Sequence, residues 1–351
     1  NKSFKTTMSN EKKILIDSLY INSGGGKEIL DLIIHYIYKH NLENYFLFLL
    51  DRRYTVPAHS NKKIDFLKIS PSEKGRKNFY RQHKNFESYF CLSNVPPPIY
   101  IDNPCGIYFH NDLFLNPFKS NLGFTMTIKN WIKKTNIISK MNKSYEWCVQ
   151  TELMKKKLNK VYGIENNKIH VYPIFDSNKI KSKKTNNSFV YVCNSSKHKN
   201  HKRLMDAFIK AANKIHYKLH LKLTLSDTDF KKSQYNRTNT PDNLIIQNTG
   251  VVSKEKLSNL YLESKFLIFP SLNESLGLPL IEAVNRDCFI LASDKEYVRE
   301  VVNPSIVFNP YSSDSISEAI VNSLSNKSLK KSELIIENKI DTFVKYLLQH
   351  V

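Results

Sequence analysis

The sequence is poor in glycine and has neither a long apolar run nor a regular cysteine spacing. Its 351 residues include nine glycines, well below the average of about 7%, so a cluster of them is informative. No apolar run approaches the roughly 20 residues of a membrane-spanning helix. The start NKSFKTTMSN is too polar for a secretory signal, and Met8 is a candidate translation start.

The five cysteines are odd in number, widely spaced and mostly placed in apolar runs. They are Cys91, Cys105, Cys148, Cys193 and Cys288. This distribution predicts reduced, buried thiols of a cytoplasmic protein rather than a disulfide framework. Metal-ligand spacings are absent from the sequence as well, so we expect no metal cofactor.

The formal net charge of +21 favours anionic partners such as nucleic acid, a lipid surface or phosphorylated substrates. The lysines are scattered, and the sequence has no arginine stripe or nucleic-acid motif. We therefore expect peripheral contact with an anionic membrane and no nucleic-acid partner. The richness in Lys, Asn and Ile has a second explanation, since an AT-rich genome would also produce it.

Residues 273–284, NESLGLPLIEAV, place two carboxylates on either side of a glycine that opens a predicted helix. Glu274 follows the strand-like run KFLIFPS, so we expect its side chain at the carboxyl end of a sheet, where open α/β folds bind ligands. The apolar spacing after Gly277 is helical, and the amides of a first helical turn favour a phosphate. Glu282 can accept hydrogen bonds from vicinal hydroxyls. The segment predicts a sugar-nucleotide site; the plainer alternative is a strand–turn–helix with two surface glutamates.

A second candidate segment is SFVYVCNSSKHKNHKRLMDAFIKAANKI. Its pattern predicts a strand, a polar turn and an amphipathic helix. Lys199 lies in the turn, where a lysine can neutralise a diphosphate as a point charge. A single lysine in a lysine-rich chain is usually a solvated surface charge, and only its position distinguishes Lys199.

The amino-terminal half offers two further features. Gly24, Gly25 and Gly26 lie between the strand-like run KKILIDSLY and the helical pattern EILDLIIHYIYKH. Such a turn lets a ligand approach the backbone, although it could also be a tight turn without a ligand. It matches neither G-x-G-x-x-G nor G-x-x-x-x-G-K-[ST], which argues against a dinucleotide oxidoreductase and a nucleoside-triphosphatase. His110 follows another apolar strand and either serves proton handling or sugar binding or merely caps the strand.

These segments resemble retaining glycosyltransferases of family 4, the glycosyl transferases group 1 of bacterial surface-polysaccharide synthesis. Residues 274–283 resemble the family's E-x-F-G-L-x-x-x-E-A signature, with Leu276 in place of the aromatic, and the upstream text NTGVVSKEKLSNLYLESKFLIFPSLNE extends the likeness. The resemblance implies that Glu274 contacts the donor sugar and Glu282 the ribose. It assigns the diphosphate to the backbone of Ser275, Leu276, Gly277 and Leu278.

The resemblance also implies that Lys199 and Asn200 form the family's donor-phosphate loop, and that His110 and the glycine cluster face the sugar or the acceptor. Two features depart from the family. Asn194 stands where many members carry an arginine, so a second cation would come from Lys197, His198 or Arg203. Asp287 and Phe289 replace the usual Gly and Pro after the motif, so we expect that loop to differ in shape.

One acidic triplet, Asp227-Thr228-Asp229, is of the D-x-D type that binds a metal in another glycosyltransferase architecture. Here it falls where family 4 has a loop, and we assign no metal to it.

Alternating strands and helices predict an α/β protein with parallel sheets. The resemblance implies the GT-B fold, with two Rossmann-like doubly wound domains facing each other across a cleft. We place an N-terminal, acceptor-side domain at residues 8–178, a linker at 179–187 and a nucleotide-sugar-binding domain at 188–330. Residues 331–351 are expected to form a helix that packs back on the N-terminal domain.

The function implied is metal-independent, retaining transfer of a sugar from a nucleoside-diphosphate sugar to a glycan or lipid-linked glycan hydroxyl. Lys199, Glu274 and His110 are the candidate catalytic residues. Two alternatives stay open. A GT-B sugar-nucleotide epimerase or a glycan phosphorylase would share the fold, and a non-catalytic subunit of a glycan-assembly complex would explain the departures at Asn194 and 287–289.

Overall fold

The computed structural model describes residues 13–57, 64–115, 117, 124–181, 184–233, 235 and 239–349. Met8, the candidate start, lies outside these residues. The chain divides into two compact units. The described residues of the first unit fall within Asn1–Leu115, Asn130–Phe175 and Asn338–Val351, and those of the second within Asn116–Lys129 and Asp176–Glu337.

The first unit is built on a seven-stranded parallel sheet in the order β3-β2-β1-β4-β5-β6-β7. The strands are β1 (Ile14–Ser18), β2 (Phe46–Asp51), β3 (Asp65–Ile69), β4 (Ser88–Cys91), β5 (Cys105–Phe109), β6 (Glu146–Val149) and β7 (Ile169–Val171). The helices are α1 (Gly24–Lys39), α2 (Glu73–Gln82), α4 (Glu152–Tyr162) and α11 (Ile340–Leu348). The helix α3 (Phe124–Ser139) belongs to the first unit from Asn130 onward, and its residues up to Lys129 are assigned to the second. All residues of β1, β2, β4 and β5 are buried, as expected for a parallel sheet covered on both faces.

The second unit contains a six-stranded parallel sheet in the order β10-β9-β8-β11-β12-β14. Its strands are β8 (Thr185–Tyr191), β9 (Leu219–Leu223), β10 (Leu244–Asn248), β11 (Ser264–Phe269), β12 (Phe289–Ser293) and β14 (Ile306–Phe308). The helices are α5 (His201–Ala212), α6 (Asp227–Lys232), α7 (Lys254–Glu263), α8 (Leu278–Asn285), α9 (Glu296–Arg299) and α10 (Ser313–Ser325). An antiparallel pair, β13 (Val302–Asn303) and β15 (Glu333–Leu334), completes it. The predicted α/β class with two parallel sheets is confirmed.

Three local expectations were wrong. β8 begins at Thr185, inside the predicted linker, because Thr185 already pairs with Ser264 of β11. Residues 333–334 form β15 instead of helix, since they pair with β13; the terminal helix α11 begins only at Ile340, within the first unit. The loop expected at Asp227–Asp229 is the start of α6, because the Ser226 hydroxyl accepts a hydrogen bond from the Asp229 amide and caps the helix.

All five cysteines are free thiols, and all except Cys193 are buried. Within the part of the chain that the structure describes, no helix combines the length and apolarity needed to cross a bilayer.

A buried ion pair anchors the loop after β4 in the first unit. The Arg76 guanidinium on α2 donates to the Asp17 carboxylate at 2.7 Å and to the carbonyls of Val95 and Pro96. The Tyr80 hydroxyl also donates to Asp17, at 2.8 Å. Arg76 and Asp17 are both fully buried, so removal of one charge would leave the other without compensation.

We therefore predict that Arg76→Met lowers the free energy of unfolding by about 3–5 kcal/mol, since it strands a buried carboxylate. Arg81→Met is the matched control, because Arg81 is exposed on the same helix, and it should change stability by at most about 0.5 kcal/mol. Urea unfolding monitored by circular dichroism measures both. Equal losses in the two variants would contradict the anchoring role.

Candidate functional site

The two predicted segments of the second unit meet at the carboxyl edge of its sheet. The strand order reverses between β8 and β11, which are neighbours, and open α/β folds bind ligands at such a switch point. Lys199 follows β8, and Glu274 follows β11. The fold thus brings together two residues that the sequence separates by 75 positions.

Lys199 and Glu274 form a direct ion pair. The Lys199 ammonium lies 2.5 Å from Oε1 of Glu274, and the two side chains are only 11% and 14% exposed. The Ser271 hydroxyl donates to the same carboxylate oxygen, and the Lys199 ammonium lies 5.8 Å from the centre of the Phe269 ring. The site therefore holds a cation and an anion in contact at low solvent exposure, where charges interact more strongly than in water.

Hydrogen bonds to two main-chain carbonyls hold the segment that carries Lys199. The Leu272 amide donates to the His198 carbonyl at 2.8 Å, and the Tyr191 hydroxyl donates to the Lys199 carbonyl at 2.5 Å. Tyr191 is fully buried, and burial raises the pKa of its phenol well above the usual range, so it stays a neutral donor. The main chain of Lys199 is thus held by the Tyr191 hydroxyl.

Asn200 occupies the left-handed conformation, with φ of 64°, that Asn tolerates better than most residues. Its side-chain amide donates to the carbonyls of Pro270 and Pro310, at 3.2 and 2.7 Å, and its oxygen accepts from Arg203 at 3.0 Å. Both amide hydrogens are therefore engaged with the protein. The geometry gives the Asn200 side chain a part in holding the loop, whereas the sequence predicted donor binding for it.

Gly277 caps α8 in the left-handed conformation, with φ of 77°. A Cβ at this position would lie 3.1 Å from Cδ1 of Leu280, so a side chain would be strained in conformation and in space. Leu276 is buried, and the flanking Ser275 and Leu278 are partly buried. The four residues assigned to the diphosphate therefore form the entry to α8, where a positive helix end can face an anion.

Glu282 lies within α8 and accepts a hydrogen bond from the Tyr261 hydroxyl at 2.8 Å. Tyr261 is almost fully buried, and burial together with Glu282 raises the pKa of its phenol well above the usual range. Glu282 is itself partly buried. The hydrogen bond from the neutral Tyr261 hydroxyl orients its carboxylate.

In the loop after the motif, Asp287 has a backbone conformation that is typical of glycine. Asp287 has φ of 59°, the left-handed region that favours glycine, and its carboxylate lies 3.0 Å from the Lys331 ammonium. Glycine adopts this conformation without strain. The expected difference in loop shape from the family stays a prediction.

In the first unit, two predicted features contact each other at the carboxyl edge of the sheet. The helix α1 begins at Gly24, so the three glycines form its first turn rather than a loop before it; Gly24 has φ of 66°. A Cβ on Gly26 would lie 3.1 Å from Cε1 of His110. The absent side chain at residue 26 thus leaves room for the imidazole.

His110 is held by the loop after β4. Its amide donates to the Asn94 side-chain oxygen at 2.7 Å, and Nε2 lies 3.2 Å from the Leu92 carbonyl and from the Asn94 amide nitrogen. Burial lowers the pKa of His110 to about 4, so the imidazole is neutral near pH 7. Its neighbour Asn111 caps a short 3-10 turn by accepting from the Leu113 amide at 3.1 Å.

Several contributors to the site were not found from the sequence. Ser271 and Tyr261 reach the two glutamates, and His201 donates from Nε2 to the Asn194 carbonyl at 2.7 Å. A Pro-Ser pair at a strand end is a weak signal for Ser271, whereas the contacts of Tyr261 and His201 depend on packing between elements.

The fold matches solved glycosyltransferases over most of the chain. HepE of Anabaena, solved with UDP-glucose, superposes with a TM-score of 0.67 at 13% identity, covering 90% of each chain. WaaG, a glycosyltransferase involved in lipopolysaccharide biosynthesis, superposes with a TM-score of 0.63 at 13% identity, covering 89% of this chain and 90% of that one. The protein therefore has the two parallel-sheet, Rossmann-like domains of the GT-B class.

The second unit can be assigned more closely. Residues 174–342 match the family described as Glycosyl transferases group 1, so the chain carries a domain of that family. A stretch of 87 residues is 32% identical to O-antigen chain mannosyltransferase B of Escherichia coli. That match spans 24% of this chain and 23% of the length of the curated relative.

We predict that His110 makes the fold less stable in acid. Its pKa in the folded protein, about 4, lies below the value of about 6.5 for an unfolded chain, so the unfolded state takes up a proton first as pH falls. Between pH 7 and 4.5 this linkage should cost the wild type about 2–3 kcal/mol that His110→Gln does not lose.

The measurement is urea unfolding at both pH values, with His216→Gln, an exposed histidine, as the control for loss of a histidine. An unchanged pH dependence in His110→Gln would show that His110 titrates normally.

Proposed function

We propose that this protein is a retaining glycosyltransferase that moves a sugar from a nucleoside-diphosphate sugar to a hydroxyl of a glycan or lipid-linked glycan in surface-polysaccharide synthesis. The observation that carries the proposal is the ion pair between Lys199 and Glu274 beside the entry to α8. It combines a cation for a diphosphate with a carboxylate for sugar hydroxyls at one switch point. The matches to a UDP-glucose-bound structure and to an O-antigen mannosyltransferase support this choice.

Lys199 and the positive end of α8 would stabilise the diphosphate as it leaves. The bond between the anomeric carbon and the phosphate oxygen breaks, the acceptor oxygen bonds to the same face of the sugar, and the leaving phosphate takes the acceptor proton. Negative charge accumulates on the diphosphate during this step, so a fixed cation and helix amides act mainly in the transition state. The hydrogen bonds that hold residues 198–200 keep the cation of Lys199 in position.

Glu274 and Glu282 would hold the two sugars of the donor. On donor binding, Lys199 would turn from Glu274 to the phosphate, which leaves the carboxylate to accept hydrogen bonds from hydroxyls of the transferred sugar. Glu282, oriented by Tyr261, would accept from the ribose hydroxyls. We propose that donor binding needs no divalent metal, because Lys199 and the α8 amides supply the positive charge.

His110 and the first turn of α1 would serve the transferred sugar or the acceptor. A neutral imidazole can donate one hydrogen bond and accept another, which suits a sugar hydroxyl better than a charged group does. We also propose a cytoplasmic location with peripheral contact to the inner membrane face, where a lipid-linked acceptor would lie; the net charge of +21 supports attraction to anionic lipid.

We expect Lys199→Ala to lower turnover by about 10²–10³, because a charge directed at the leaving group acts in the transition state. Glu282→Gln keeps an oxygen for Tyr261 but weakens the ribose contact, so it should raise the KM for donor about fivefold and leave turnover nearly unchanged. Lys202→Ala, an exposed lysine of α5, is the matched control.

Steady-state kinetics with melting temperatures test these expectations. The assay measures product formed with donor and acceptor, and a parallel reaction with donor alone detects an epimerase. Near-normal turnover of Lys199→Ala, or equal losses in Lys199→Ala and Lys202→Ala, would remove Lys199 from the diphosphate site.

A further inference from the structure

The helix α3 (Phe124–Ser139) exposes large apolar side chains to solvent. Trp131 and Ile132 are 48% and 54% exposed, and Ile128 and Ile138 are exposed as well. By contrast, Asn130 and Ile137 of the same helix are buried. Among the described side chains of α3, Asn130 therefore faces the protein together with Ile137, whereas Trp131 and three isoleucines face water, unlike the polar outer face of an ordinary surface helix.

The exposed apolar residues form one continuous face. At 100° per residue, Ile128, Trp131, Ile132 and Ile138 fall within an arc of about 120°, opposite Asn130 and Ile137. A contiguous apolar surface rimmed by polar residues marks an interaction site, whereas single exposed apolar residues need no explanation.

The segment that contains this face is basic and has no acidic residue of its own. The sequence has no Asp or Glu between Asp112 and Glu146, while it has six lysines there: Lys119, Lys129, Lys133, Lys134, Lys140 and Lys143. Lys129 and Lys133 are exposed beside the apolar face. Lys134 and Lys140 are partly buried. Lys134 donates to the Leu115 carbonyl at 2.8 Å, and Lys140 pairs with Glu73.

We infer that residues 128–138 of α3 lie in the interface of an anionic phospholipid bilayer. An apolar face with a tryptophan enters the boundary between headgroups and acyl chains, and flanking lysines attract anionic headgroups. Charge complementarity selects this partner, because a segment without acidic residues repels cationic surfaces and gains from an anionic one. The inference rests on the membrane contact of the proposed function and assigns that contact to one surface. This surface is distinct from the donor site, so vesicle binding can fail while sugar transfer is intact, and it can be tested without any sugar substrate.

Trp131 provides a direct readout. The chain has two tryptophans, and Trp147 is buried in the core, so a change in emission on vesicle binding reports Trp131. With vesicles of phosphatidylglycerol and phosphatidylcholine we expect a blue shift that phosphatidylcholine vesicles alone do not produce. The shift should weaken as salt rises, because the Debye length is about 8 Å at physiological ionic strength.

Vesicle co-sedimentation of matched variants tests the surface itself. Ile138→Ser should lower partitioning roughly tenfold, because it removes an immersed apolar side chain. Ile335→Ser should leave partitioning unchanged, since Ile335 is 46% exposed, like Ile138 at 48%, but lies outside α3. Lys129→Gln and Lys133→Gln should each lower partitioning roughly fivefold. Melting temperatures confirm that the variants fold.

Three outcomes would overturn the inference. They are an equal blue shift with phosphatidylcholine alone, equal losses for Ile138→Ser and Ile335→Ser, and the absence of vesicle binding combined with self-association that Ile138→Ser abolishes in analytical ultracentrifugation. The last result would identify the face as an interface between copies of this chain.

Discussion

The ion pair between Lys199 and Glu274 is the contact on which the account of this protein depends. It joins the loops that follow two neighbouring strands, β8 and β11, at the point where the strand order reverses. Because both side chains are mostly buried, solvent screens their attraction only weakly. Removal of one partner would leave the other charge uncompensated and would lower the stability of the fold. Because a buried ion pair adds little net stability, we interpret this pair as part of a binding site.

Rigid supports hold this pair in place. The carbonyls of His198 and Lys199 accept hydrogen bonds from Leu272 and Tyr191, and the Asn200 side chain donates to the Pro270 carbonyl. The main chain at Lys199 is therefore held, and its flexible side chain is the part that can move. Such an arrangement fixes where positive charge stands before the reaction, which avoids reorganisation when charge develops on the leaving group. In the first unit, the buried pair of Arg76 and Asp17 plays a comparable part. It anchors the loop that carries Asn94, and Asn94 in turn holds His110 by a hydrogen bond.

The sequence predicted the parallel sheets and the strand-end positions of Glu274, Lys199 and His110, because apolar runs and helical periodicity are local signals. It did not predict that Asn200 would be engaged with Pro270 and Pro310, since those bonds join residues 70 and 110 positions apart. Nor could it predict which side of α3 faces water. Periodicity defines an apolar face on a helix, but only packing decides whether that face is covered.

The central claim is tested most directly by a crystal structure of the protein with a nucleoside diphosphate, grown in the presence of EDTA. The account predicts the diphosphate at the entry to α8, with the Lys199 ammonium moved from Glu274 to within about 3 Å of a phosphate oxygen and the ribose at Glu282. A nucleotide bound elsewhere with the Lys199–Glu274 pair intact, or binding that appears only when a divalent metal is added, would contradict it.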